Sequence, residues 1–111
     1  MIKEINQIIA GYRKDIDFVF LDILDRDETL LVPWVLMAAY AEYIDKSPII
    51  SDKLFDKLCQ KVYDNYDDIN HPYLSTLDRH MFLVKSFPDT YPDRIKHGVE
   101  HLRKIYANSL S

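Results

Sequence analysis

The sequence predicts an all-α fold, a compact bundle of about five helices with a helix hairpin at 32–66, in one domain over residues 1–111. Three observations predict it. Apolar residues recur at steps of three and four along most of the chain, the period of one helix face. Glycine occurs twice in 111 residues, too rarely for tight hairpins, a phosphate-cradling loop or a dinucleotide-binding turn. The five prolines fall where apolar segments begin or stop.

The first segment carries Ile2, Ile5, Ile8, Ile9, Tyr12, Ile16, Val19, Phe20 and Ile23 on one face. Lys3, Glu4, Asn6, Arg13, Lys14 and Asp17 occupy the other, and Gly11 within it suits a close helix approach. Asp25 to Thr29 is charged without an apolar face and reads as a connector. Leu31 to Ile44 is apolar nearly all round, which predicts a central helix with Pro33 in its first turn and Trp34 and Met37 in the core. Lys46-Ser47-Pro48 breaks it.

Ser51 and Asp52 mark the next helix start. A serine oxygen can accept from a free N–H there, an acid suits the positive dipole end, and Ile50 can staple against Phe55. Leu54, Phe55, Leu58, Cys59, Val62 and Tyr66 form its apolar face, ending in the solvated acidic run Asp64–Asp68. Asn70-His71-Pro72 opens a fourth helix carrying Leu74, Leu77, Met81 and Val84, which Ser86-Phe87-Pro88 stops. Pro92 begins the last, with a narrow stripe of Ile95, Val99, Leu102 and Tyr106.

The formal net charge of −4 argues against charge-driven nucleic-acid binding. Cys59 is the single cysteine, so no internal disulfide forms, and a reducing cytoplasm is the simplest setting. No stretch reaches the roughly 20 apolar residues of a membrane span, and the start lacks the basic and apolar regions of a signal peptide. Among His71, His80, His97 and His101, only His97 and His101 have a metal-compatible spacing, without a third ligand in a familiar motif; they read as surface residues. Nucleophile motifs are absent, which predicts a chain that is not an enzyme.

Aromatics make up 13% of the residues. Tyr40 and Tyr43 flank Glu42 on one helix, and Asp52, Phe55 and Asp56 lie on the next. A tight turn through Pro48 sets the two helices side by side, so these groups meet at the hairpin mouth. Such a mouth suits a small cationic ring carrying hydroxyls: the ring stacks on an aromatic face and carboxylates accept from the sugar. The alternative is that Tyr40 and Phe55 are core and the acids are caps and surface.

The run Tyr40-x-x-Tyr43, Pro48-x-Ile50-Ser51-Asp52-x-x-Phe55-Asp56-x-Leu58 and His71-Pro72 resembles the amino-terminal subdomain of NAD-dependent DNA ligases. The resemblance covers Tyr40 to Pro72, about a third of the chain, and its Ile-Ser-Asp-x-x-aromatic-Asp core is moderately specific. It implies a helical unit that holds the nicotinamide mononucleotide half of NAD, with Tyr40, Glu42, Tyr43, Asp52, Phe55 and Asp56 at the ligand. Tyr43, Asp52 and Asp56 keep the family's residue types. Glu42 stands where a tyrosine is usual, Phe55 lacks a tyrosine's hydroxyl, and Lys46 falls where an aspartate is common. The implied binding is therefore weak, with nicotinamide mononucleotide or NAD as the only cofactor in view.

The family's Lys-x-Asp-Gly adenylation motif is missing, so the resemblance implies no ligation by this chain alone. The expectation is a small non-catalytic binding module of the kind that suits a phage or mobile-element accessory protein. The alternative is a protein–protein adaptor without a nucleotide ligand, acting with a protein partner or as a homodimer.

Overall fold

A computed structural model describes residues 14–25 and 28–105. Those residues form five α-helices and no strand: α1 (Lys14–Leu24), α2 (Glu28–Ala39), α3 (Asp52–Asn65), α4 (Arg79–Val84) and α5 (Asp93–Ile105). The expected all-α bundle is thus found. The part of the first helix carried by Ile2 to Tyr12, the glycine at 11, and Tyr106 lie outside the described residues.

α2 occupies the centre and packs against α1, α3 and α5. Its composition explains this: Leu31, Val32, Val35, Leu36, Met37, Ala38 and Ala39 are all buried. Trp34 is only half-buried, with its ring edge-on to Phe20 at 4.9 Å, so it belongs to the margin of the core. α2 also starts earlier than the sequence predicts. Glu28 and Thr29 are helical rather than connector, which puts Pro33 at the sixth helical residue instead of the first turn. The proline forgoes one backbone bond there. Full burial of Leu31 and Val32 offsets that loss.

Ser51 begins α3 as expected, its hydroxyl oxygen accepting from the Leu54 N–H at 3.3 Å. Leu54, Phe55, Leu58, Cys59 and Val62 form the buried face. Burial pushes the Cys59 thiol up to about 12, consistent with an inert packed side chain.

A second N–H of this helix start is served from far away. Asp17 of α1, expected on the polar face, is fully buried, and its Oδ1 accepts from the Ser51 N–H at 3.2 Å. Lys61 of α3 reciprocates by donating to the Leu24 carbonyl at the end of α1, at 2.7 Å.

The expected fourth helix is two pieces. Pro72–Thr76 is a 3-10 helix, Leu77 is extended and buried, and α4 follows. Tyr66, turned inward after α3, explains the break: its hydroxyl donates to the Leu77 carbonyl, which holds that residue out of helical geometry. Val84, expected in the core, is 54% exposed as a result. In α5 the stripe of Ile95, Val99 and Leu102 is buried as expected. Pro92 precedes the helix, its carbonyl accepting from the Ile95 and Lys96 N–H groups. Gly98 faces α2 so closely that an added methyl would lie 2.5 Å from the Met37 sulfur.

Candidate functional site

The mouth of the α2–α3 hairpin brings most of the sequence-predicted residues together. Instead of continuing as an α-helix to Ile44, the chain passes into a single π-helical turn over Tyr40–Ile44, with the Asp45 N–H donating to the Tyr40 carbonyl at 3.1 Å. The wider turn advances less per residue than an α-turn, so Tyr40 and Tyr43, three positions apart, no longer share a face. Lys46 then adopts a left-handed conformation (φ 57°), and Ser47 donates back to Ala41 at 2.8 Å. Arg103 of α5 clamps this loop, bonding the Asp45 carboxylate at 2.7 Å and the Ser47 carbonyl at 2.6 Å.

The π turn separates Tyr40 from the rest of the predicted set. Its ring packs on Tyr91 at 5.5 Å and its hydroxyl lies beside Asp45, on the α5 side. Tyr43 faces α3, with its ring 6.1 Å from Phe55 and 6.4 Å from Phe87.

Phe55 is 2% exposed, packed between Tyr43 and Phe87, and so belongs to the core. Phe55, expected at the ligand, therefore has no free face for a bound ring. Around Phe55, the rings left half-exposed are Tyr43 and Phe87.

The acids divide into two groups. Glu42 and Asp52 lie close enough for their carboxyl groups to act on each other directly. Partial burial, followed by Asp52 and then the Asp56 charge, raises Glu42 above its ordinary value. Asp56 instead pairs with Lys85 at 2.6 Å, at the surface. Burial and then the Glu42 charge push the Tyr43 hydroxyl up to about 12, so it stays neutral and able to donate. The mouth therefore presents three carboxyl groups, one lysine and two half-exposed rings. That arrangement can attract a cation with a flat face and accept hydrogen bonds from hydroxyls.

Phe87 and Lys85 are absent from the residues read as a site in the sequence. Phe87 is legible there only as part of a helix stop, and no spacing ties it to Tyr43, 44 positions earlier. His97 and His101 are exposed, and no group of three or more potential metal ligands exists among the described residues. No helix among those residues is long and apolar enough to cross a membrane. Comparison of the chain with family models, with curated proteins and with solved structures returns no match.

Proposed function

We propose that this chain is a small cytoplasmic, non-catalytic binding module that takes a nicotinamide nucleotide weakly at the hairpin mouth. The observation that carries this reading is the group of neighbouring acids, Glu42, Asp52 and Asp56, beside the half-exposed Tyr43 ring. Lys85 offsets one of the three acids, so the mouth keeps a negative excess that a cationic ring relieves. The likeness of Tyr40 to Pro72 to the nicotinamide mononucleotide-binding subdomain of ligases supports the same ligand. The missing lysine motif supports a module that binds without reacting. Such a module suits a phage or mobile-element accessory role.

Titration of labelled protein with nicotinamide mononucleotide, followed by NMR, tests the reading. Shifts are expected at Tyr43, Asp52, Asp56 and Phe87, with a dissociation constant on the order of 1 mM, about −4 kcal/mol. The reduced mononucleotide, whose ring is neutral, is expected to bind more weakly still. An absence of shifts with either form would remove the nucleotide from the reading.

A second reading is favoured by the exposure of Leu83 and Val84 at the end of α4, next to the Lys85–Asp56 pair. It takes the same end of the molecule as a contact surface for a protein partner or a second copy of the chain. Sedimentation that depends on concentration, and loses that dependence in Val84→Ser, supports a homodimer.

A further inference from the structure

A cleft lies away from the hairpin mouth and is lined by none of the mouth's residues. Its volume is about 420 Å³, between α2, the 3-10 helix at Pro72–Thr76 and the start of α5. Pro33, Met37, Pro72 and Ile95 make its apolar surfaces, and His71, Tyr73 and Arg94 supply its polar groups. No carboxylate lines it. That size lies within the range of small-molecule sites, which combine apolar walls with a few placed polar groups.

The polar groups are set up for an anion. The His71 Nδ1 accepts from the Tyr73 N–H at 3.1 Å, and the imidazole packs on the Tyr73 ring at 4.8 Å. An Nδ1 that accepts leaves the ring proton on Nε2, so the imidazole has a donor to offer. Arg94 is exposed in the first turn of α5 and makes no ion pair or hydrogen bond among the described residues. An unpaired guanidinium presents a planar fork that matches a carboxylate bidentately. Its charge also stands out on a chain whose net charge is −4.

We infer that this cleft binds a small carboxylate with an apolar, ring-sized body, the carboxylate on Arg94 and His71 and the body against Met37, Pro33 and Ile95. Arg94 supplies charge and two parallel donors, His71 a third donor in a fixed orientation. The apolar walls distinguish such an acid from an inorganic anion, which gains nothing from them.

The test uses benzoate, benzamide and inorganic phosphate as probes on the full chain, with NMR as readout. Benzoate is expected to shift His71, Arg94 and Ile95 with a dissociation constant on the order of 1–10 mM. Benzamide, with the same body and no charge, and phosphate, with charge and no body, are each expected to bind at least ~10-fold more weakly. Arg94→Gln should remove the benzoate response while leaving the circular dichroism spectrum unchanged, since the side chain is exposed. Arg94→Lys, which keeps the charge and loses the fork, should fall between. An absence of benzoate shifts at ~50 mM would overturn the assignment. So would an equal response to benzamide, an equal response to phosphate, or an undiminished response in Arg94→Gln.

Discussion

Replacing Asp17 by alanine is the most informative single perturbation of the fold. The carboxylate is fully buried and accepts from the Ser51 N–H, one of the groups that an α-helix start cannot satisfy internally. Alanine leaves that half-buried N–H without its acceptor, at a cost of about 1–3 kcal/mol. It also removes a negative charge from the positive end of α3, worth about 1 kcal/mol in a partly buried setting. The sum is ~2–4 kcal/mol, a large share of the 5–15 kcal/mol that typically holds a domain together. Asp17→Asn keeps an acceptor oxygen and loses only the charge, so about 1 kcal/mol is expected. Urea denaturation of both variants, read by the fluorescence of the single tryptophan, Trp34, measures the difference. An alanine variant within about 0.5 kcal/mol of the wild type would refute the reasoning. So would an asparagine variant as unstable as the alanine one, because the acceptor would then contribute nothing.

Three further outcomes follow from the packing and the charges. Gly98→Ala gains about 1 kcal/mol in helix propensity but drives a methyl into the Met37 sulfur, an overpacking cost of about 1–3 kcal/mol. The net change is expected to be destabilising by about 0–2 kcal/mol, and to become stabilising in a Met37→Ala background, which denaturation of the four-member cycle resolves. Trp34→Ala should cost about 2–3 kcal/mol, less than a fully buried tryptophan would, because one side of the ring remains exposed. Glu42 is raised in the folded state chiefly by burial, so the native protein holds its proton to higher pH than the unfolded chain does. Its contribution to stability is therefore favourable below the unfolded value and declines as pH rises through the folded one. Glu42→Gln, which carries no charge to desolvate, should be more stable than the wild type at pH 7, by less than about 1 kcal/mol because the site is partly screened by solvent. The advantage should vanish near pH 4, as stability curves at the two pH values will show.

The sequence by itself determined the helical class, the central place of the helix read over Leu31–Ile44 though not its last, π-helical turn, the start of α3 at Ser51 and the buried stripe of α5. These are properties of residues a few positions apart, and the burial of one face repeats along the chain with the helix period. The hairpin mouth was legible in part: Glu42, Tyr43, Asp52 and Asp56 do meet there, because a short turn joins their helices. Tyr40 turned away because a π turn adds one residue to the helix end, and periodicity assumes the α-helical turn throughout. Phe87 and Lys85 complete the mouth only because α4 packs on α3. Asp17 marks the sharpest division. Its place on a polar face of α1 is a correct reading of the local pattern, yet it is buried because the free N–H it serves lies on another helix, 34 residues away. A repeating pattern shows which face of a helix is wet when it stands alone. Which unsatisfied donor that face meets is decided when the helices pack.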